Sequence, residues 1–293
     1  MHLLGNHLNS KRARFFYQSI SNTKRLSKIK KYVCYLPVYG CIATGLIYLG
    51  IGVVALLSYF RVKDGGADET SLLAFLNEYL AGQILVWAIV FGTLSYVIWR
   101  VFEALTDPYR YGTDLNGIIR RIGIALSSVA DALLCYSALR IVLGSGTGNT
   151  DGQPDEYREM VGNIIDQHDA AWLIIAGGVI ILITAIVQLV YGITRGYRER
   201  LDIGHFKPAS KKIVHYLAVV GYTSRGLILG IIGFFLVKAG ITQNPLHVVN
   251  TDKAFDFIGD HVGGIVFIVV AVGTICYSLF MFSLAWTYDA DAD

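Results

Sequence analysis

The sequence predicts an all-α polytopic membrane protein, with six transmembrane helices arranged as three parallel two-helix repeats with pseudo-threefold symmetry. Three observations predict this fold: an apolar composition, six apolar segments of membrane-spanning length, and a helix pair that recurs along the chain. Of the 293 residues, 54% are hydrophobic and only 16% are charged, whereas soluble domains contain about 25% charged residues. The mean hydropathy of +0.51 points to the same class.

The six segments are long enough to cross a bilayer. A spanning helix needs about 20 predominantly apolar residues, because the hydrocarbon core is about 30 Å thick. We place the spans at residues 36–60, 82–106, 120–143, 170–194, 213–238 and 261–287. Residues 1–29 are basic and polar, and they lack the apolar core of a signal peptide. We therefore expect them to form a cytoplasmic leader.

Basic residues are distributed unequally between the two sides of this arrangement. The N-terminal segment and the loops after helices 2 and 4 hold 18 lysines and arginines, and the three opposite loops hold 6. Basic residues favour the cytoplasmic side, so both termini are expected in the cytoplasm. The opposite loops are acidic, and they include Asp68, Glu69 and Asp252. Because the basic face is a set of helix flanks, this distribution argues against nucleic-acid binding.

An internal repeat organises the chain. Residues 30–52 and 211–233 align without a gap and are identical at 12 of 23 positions. A weaker middle copy sets Gly123 over Gly40 and Ser128 over Gly45. Each unit contains two spans, so all copies have the same orientation and are related by an axis along the membrane normal. The predicted units are repeat 1 (residues 30–110), repeat 2 (residues 111–207) and repeat 3 (residues 208–293, with a short acidic tail).

Several motifs together carry a family resemblance. They are Gly82, Tyr96, Trp99-Arg100, Ala104 and Asp107-Pro108 in one segment, followed by GYTSRGLI at residues 221–228. Over about residues 30–288 the chain resembles the bacterial six-helix membrane family named domain of unknown function 1206. The resemblance implies three two-helix units and a place in the bacterial inner (plasma) membrane, and it implies no activity. The chain departs from the family pattern where Thr44 and Ser127 stand at the arginine position and Ser128 replaces the glycine.

Glycines recur on the first helix of each unit. Small residues let helix backbones approach closely in lipid. We expect them to pack helices 1, 3 and 5 around the pseudo-axis, or to leave a narrow central cavity there, and both arrangements could hold at different depths. The glycines in question are Gly40, Gly45, Gly52, Gly123, Gly221, Gly226 and Gly233.

Arg225 is a charge inside a span. It lies 13 residues beyond Lys212, which is about 20 Å along a helix. A central arginine costs about 2.5–3.5 kcal/mol on insertion scales, so it should have a partner. We expect an ion pair with Asp131 of helix 3, the carboxylate at that depth. Two alternatives are hydrogen bonds to backbone carbonyls or to the hydroxyls of Thr44, Ser127 and Ser128, and a gate or binding site for an anionic or protonatable solute.

A second constellation lies at the outer helix ends. The repeat alignment places His168 and His261 at equivalent positions, with Asp260 beside His261. Imidazoles and carboxylates near one axis can bind a divalent cation or relay protons, so these residues are the secondary metal candidates. Neither HxxxH nor HExxH occurs, and a solvated helix end explains the same residues. We therefore expect no metal site and no cofactor.

The chain carries no familiar enzyme signature. GxSxG, a Walker loop and a dinucleotide-binding turn are all missing from the sequence, and these are the motifs that would point to hydrolase or nucleotide chemistry. We expect a structural or accessory membrane bundle that is not an enzyme, with the bilayer and an unidentified membrane protein or further copies of itself as partners. The alternative is a small-solute or ion channel or transporter with a pathway along the pseudo-threefold axis near Arg225. An intramembrane enzyme ranks third.

Overall fold

The computed structural model describes residues 24–61, 66–107, 112, 114–144, 152–167, 170–194 and 208–287. Every regular element within these ranges is a helix. The elements, in chain order, are α1 (Lys24–Tyr59), α2 (Glu69–Asn77), α3 (Leu80–Thr106), α4 (Leu115–Val142), α5 (Asp155–Ile165), α6 (Ala171–Ile193), α7 (Pro208–Thr242), a 3₁₀ turn (Pro245–His247), α8 (Thr251–His261) and α9 (Gly264–Thr287).

Five of the long helices are apolar enough to cross a membrane. Their spanning parts agree with five of the six predicted spans to within four residues at every end. The sixth predicted span, residues 120–143, falls largely within α4, where the structure describes only some of the side chains, so it stays a prediction. The five spanning parts are Leu36–Tyr59, Leu80–Thr106, Ala171–Ile193, Ser210–Thr242 and Gly264–Thr287.

Helix α1 begins earlier than the sequence predicts. Its first residue is Lys24, which lies inside the predicted leader at residues 1–29. Residues 24–35 contain neither glycine nor proline, so nothing in them stops a helix that the following span has already nucleated. The rest of the leader lies outside the described residues.

The long helices pack in an alternating order. Helix α1 packs against α3 of its own predicted unit and against α9, while α7 packs against α9 of its own unit and against α6. Helix α3 in turn packs against α4. In each of these contacts between units, the first helix of one unit meets the second helix of another.

Two contacts inside the first unit recur inside the third. Gly40 lies against Tyr96, and Gly221 lies against Tyr277. These two glycines are 181 residues apart, as are the two tyrosines. A side chain at Gly221 would meet the Tyr277 backbone, since its Cβ would lie 2.6 Å from the Tyr277 Cα. The first and third units therefore use glycine in the same way to bring their two helices together.

The remaining glycines pack between units. Gly45 lies against Phe282 of α9, whereas Gly226 lies against Leu189 of α6. Two helical turns further along each helix, Gly52 meets Ile275 and Gly233 meets Leu182. These four glycines thus face the second helices of other units, whereas we expected the glycines to face one another around the axis. A flat glycine surface accepts a large side chain from the neighbouring helix, which explains this preference.

The segments between the spans were expected to be outer loops, but two of them form short helices inside the core. Leu73 of α2 and Phe255 of α8 are 0% and 1% exposed, and they belong to the same apolar cluster as Ile51 and Val270 of the long helices. Leu72 lies against Gly50, nine residues before the end of α1 and therefore about 13 Å along that helix. The short helices lie in the half of the bundle opposite the first residues of α1 and α7, which we call the outer half.

Polar residues start these short helices at buried positions. The Asp68 carboxylate accepts hydrogen bonds from the backbone N–H groups of Thr70 and Ser71, at 3.1 Å and 3.4 Å. The Asn250 side chain accepts from Lys253 N–H at 3.0 Å. These N-caps satisfy donors that a helix start leaves open, which the buried setting requires because water is not there to do so.

A pair of alanine substitutions tests the role of Gly221. Gly221→Ala should lower the free energy of unfolding by about 1–3 kcal/mol because the new methyl overpacks the α7–α9 contact. Gly230→Ala in the same helix should be neutral or stabilising by up to about 1 kcal/mol, because its Cβ would make one ordinary contact with Ala185. Thermal unfolding of both variants in detergent measures the difference. Equal melting temperatures would contradict this account of the glycine contacts.

Candidate functional site

Arg225 lies in the middle of α7 and contacts tyrosines from two other helices. Its guanidinium donates a hydrogen bond to the Tyr277 hydroxyl of α9. The guanidinium carbon lies 4.9 Å from the centre of the Tyr277 ring and 5.0 Å from the centre of the Tyr48 ring of α1. A cation over an aromatic face is attracted by the ring quadrupole, more strongly when water is excluded. Arg225 therefore connects α7, α9 and α1.

Aromatic packing holds these tyrosines in place. The Tyr48 and Tyr277 rings meet edge to face with centres 5.1 Å apart. Tyr222, one turn before Arg225 on α7, contacts Tyr277 at 5.4 Å and Phe280 at 5.6 Å. Such pairs contribute about 0.5–1.5 kcal/mol beyond their buried area. We call Arg225, Tyr48 and Tyr277 the arginine clamp.

An analogous contact lies in the first unit. Arg100 donates to the Tyr96 hydroxyl at 2.7 Å, and its guanidinium carbon is 4.7 Å from the centre of that ring. Tyr96 is the repeat equivalent of Tyr277. The arginine comes from the second helix of the unit here, and from the first helix in the third unit. The first and third units thus each pair their tyrosine with an arginine.

A polar cluster lies on the outer side of the clamp, where three segments meet. We call residues 66–69, Gly152 and residues 250–252 the outer junction. Asp252 Oδ1 accepts from Ala67 N–H at 2.6 Å, and the Glu69 carboxylate accepts from the Thr251 hydroxyl at 3.0 Å. Asn250 donates to the Gly152 carbonyl at 3.1 Å. These bonds join residues that are 98 to 185 positions apart in the sequence.

Burial raises the pKa values of acidic groups in the outer junction. It raises the pKa of Asp252 to about 6 although Ala67 N–H donates to the carboxylate. It also raises the pKa of Glu69, an effect that the charge of Asp68 adds to and that the Thr251 bond and the positive charge of Arg225 oppose. Arg225 has the smallest of these effects, so the charge of the clamp acts on the outer junction only weakly.

The other predicted site residues that the structure describes have local surroundings. Ser128 is buried and donates to the Ala125 carbonyl within α4 at 2.6 Å, while Thr44 is half-buried on α1. His261 is exposed and stacks on Phe257 with ring centres 4.5 Å apart, and Asp260 beside it is exposed. No group of three potential metal-ligating side chains occurs among the described residues. The side chains of Ser127, Asp131 and His168 lie outside the described part of the chain, as do the surroundings of Gly123.

The tyrosines and the outer junction were not predicted as site residues. The tyrosines had a signal, because Tyr96 and Tyr277 fall in the GTLSY and GTICY segments that repeat at the offset of 181 residues. The outer junction had a sequence signal too. Asp68 and Asn250 are good N-cap residues, and each precedes apolar residues at helical spacing. The acidic character of these segments led us to expect solvated loops.

These features define an all-helical membrane protein, with five described helices long and apolar enough to cross a bilayer. The helix pairs α1–α3 and α7–α9 repeat the same glycine–tyrosine contact. A model of the family described as Domain of Unknown Function (DUF1206) matches residues 39–107 and 220–288. Two segments thus match that domain, one over α1 to α3 and one over α7 to α9, and the resemblance predicted from the sequence is confirmed for these two segments.

One curated relative extends this similarity over most of the chain. It is an uncharacterized protein of Bacillus subtilis (strain 168) named YxxB, 28% identical over 244 residues, which make up 82% of this chain and 86% of the relative. No solved structure matches the chain.

The arginine clamp can be tested by a double-mutant cycle. Tyr277→Phe keeps the ring and removes the hydroxyl, and it should cost about 1.5–3 kcal/mol of stability, as expected for a hydrogen bond to a charged group. Arg225→Met removes the same bond, so the double variant should be less destabilised than the sum of the two single variants. Tyr216→Phe, at a position 67% exposed, is the control and should stay within about 0.5 kcal/mol of the wild type. Additive effects of Arg225→Met and Tyr277→Phe would show that the bond does not stabilise the fold.

The ion pair between Arg225 and Asp131 stays a prediction with its own cycle. If the two side chains pair, Asp131→Asn should be more harmful in the wild type than in the Arg225→Met background, because an unpaired buried charge is costly. Unfolding midpoints in detergent measure both backgrounds. An equal cost in the two would leave the tyrosines as the partners that matter.

Proposed function

We propose that the protein is a structural or accessory bundle of the bacterial inner membrane and not an enzyme. The arginine clamp is the observation that carries this proposal. The charge most suited to line a solute pathway is instead bound to two tyrosines, and its contacts join the first and third units. A side chain used in this way contributes to the cohesion of the bundle.

The architecture that we propose is three two-helix units around a pseudo-threefold axis. Contacts between units support it, since α9 meets α1, α6 meets α7 and α3 meets α4. These three contacts form a cyclic series in which the second helix of one unit meets the first helix of another. The middle unit, residues 111–207, is the part of this proposal that rests on the weaker sequence repeat.

We also propose that both termini lie in the cytoplasm. The basic residues that flank α1 and α7 at their N-terminal ends support this orientation, as does the acidic character of the segments on the opposite side. Lysine and arginine near membrane spans are retained on the cytoplasmic side. The partners in this role are the lipid bilayer and an unidentified membrane protein or further copies of the chain, and nucleic acid is not among them.

Thiol labelling separates this role from the alternative, a channel or transporter for a small solute or ion. We suggest single cysteines at Thr44, Ser128 and Ser224, in a chain whose native cysteines are replaced by alanine. In the accessory bundle a membrane-impermeant, polar thiol reagent should leave all three unlabelled, because labelling requires water at the thiol. Tyr79→Cys is the positive control, since Tyr79 is 57% exposed just before the start of α3. Labelling of Thr44→Cys and Ser224→Cys from one side would favour a pathway near Arg225.

A further inference from the structure

Asp252 is the residue that joins the outer junction across the chain. Its Oδ1 accepts from Ala67 N–H of a segment 185 residues away, and its Oδ2 lies directly against Gly152, where a side chain would clash with it. The residue is 9% exposed. The carboxylate of Asp252 thus belongs to one segment of the junction and contacts the other two. Its charge state therefore affects how all three segments fit together.

The cation beside Asp252 does not fully balance this charge. Lys253 Nζ lies 3.7 Å from Asp252 Oδ2 but 2.9 Å from Asp256 Oδ2, so its closer partner is Asp256. Two further carboxylates, Asp68 and Glu69, lie in the same junction. Asp68 is 2% exposed, and its Oδ1 has no hydrogen-bond donor in the described part of the chain. The charged groups that act on Asp252 itself are Lys253 and Asp256 of α8 and Asp68, which precedes α2. Arg158 of α5 acts on Lys253. Tyr157 of α5 and Arg225 of α7 face Glu69, the residue next to Asp68.

Several carboxylates close together in a buried site favour a bound proton. Each ionised carboxylate loses hydration on burial, and each destabilises the charge of its neighbours. The helix starts oppose this effect, since their N–H groups and dipoles favour an anion. Burial is the larger effect for Asp252, Asp68 and Glu69, because the pKa of each is raised in spite of those donors.

We propose that the outer junction is a proton-binding site, in which Asp252 takes up a proton from the outer aqueous side and closes the junction over the arginine clamp. The proton binds at Oδ2, and Oδ1 continues to accept from Ala67 N–H. No other bond forms or breaks. When the proton leaves, the negative charge of Asp252 is left next to the carboxyl group of Asp68, and the three segments separate more readily. This site is independent of the accessory role, because it needs no partner and no pathway.

The direction of the pH effect follows from the raised pKa of Asp252. Between its ordinary value of 3.8 and about 6 the folded protein holds a proton that the unfolded chain has released. This contribution to stability is complete below about pH 4 and is lost as the pH rises through about 6. The ratio of folded to unfolded protein should fall by up to tenfold for each pH unit in that window, and about a hundredfold in all.

The test is the pH dependence of unfolding of the full-length protein in detergent. Asp252→Asn mimics the protonated side chain and keeps an acceptor for Ala67 N–H. Between pH 4 and pH 6.5 the decline in the ratio of folded to unfolded protein should therefore be smaller in this variant, by about a hundredfold. Asp260→Asn is the matched control, because the same substitution on α8 removes an exposed charge and should leave the decline as in the wild type. A wild-type decline in Asp252→Asn, or a loss of the decline in Asp260→Asn, would overturn the proposal.

A second variant keeps the test decisive if Asp252→Asn does not fold. Asp68→Asn retains an N-cap acceptor for α2 and removes a charge that raises the pKa of Asp252. The decline in stability should therefore move to lower pH in this variant. Amide hydrogen exchange of residues 66–77, corrected for the intrinsic rate at each pH, should show faster opening above pH 6 in the wild type. An unshifted decline together with pH-independent opening would contradict proton binding at the junction.

Discussion

A charged group in the interior of a membrane protein must find partners in the protein itself, and Arg225 imposes this requirement on the centre of the bundle. Its guanidinium donates a hydrogen bond to Tyr277 of α9 and faces the ring of Tyr48 of α1. Tyr277 comes within reach because α9 lies against Gly221 on the same helix as Arg225. The close glycine contact and the buried charge therefore depend on each other, since a wider spacing of α7 and α9 would move the hydroxyl away.

The first and third units share the glycine–tyrosine contact, but the arginine that binds the tyrosine comes from a different helix in each. In each unit a glycine on the first helix packs on a tyrosine of the second, as Gly40 does on Tyr96 and Gly221 on Tyr277. Arg100 reaches Tyr96 from one turn further along the same helix, whereas Arg225 reaches Tyr277 from the neighbouring helix. The repeat thus preserves the helix contact and the tyrosine, and the source of the cation differs. Arg225 also faces a tyrosine of the first unit, Tyr48.

The long helices could be predicted from the sequence because their apolar length is a local property. The tyrosine contacts of Arg225 could not, because a tyrosine hydroxyl becomes available only through the approach of two helices that are distant in sequence. We expected Asp131 as its partner, since a carboxylate neutralises the charge, and that ion pair stays a prediction. The short helices were mistaken for loops for a similar reason. Asp68, Glu69 and Asp252 are typical of solvated segments, and their burial depends on α2 and α8 folding back against α1 and α9.

The clamp and the outer junction form two polar layers in one interior, and their charges act on each other. Arg225 lowers the pKa of Glu69, whereas burial and Asp68 raise it. A positive charge at the bundle centre therefore offsets part of the cost of collecting carboxylates beneath the outer surface. The opposite effect holds as well, because the negative charge of ionised Glu69 stabilises the positive guanidinium. A proton on Glu69 therefore removes one of the charges that favour the buried guanidinium.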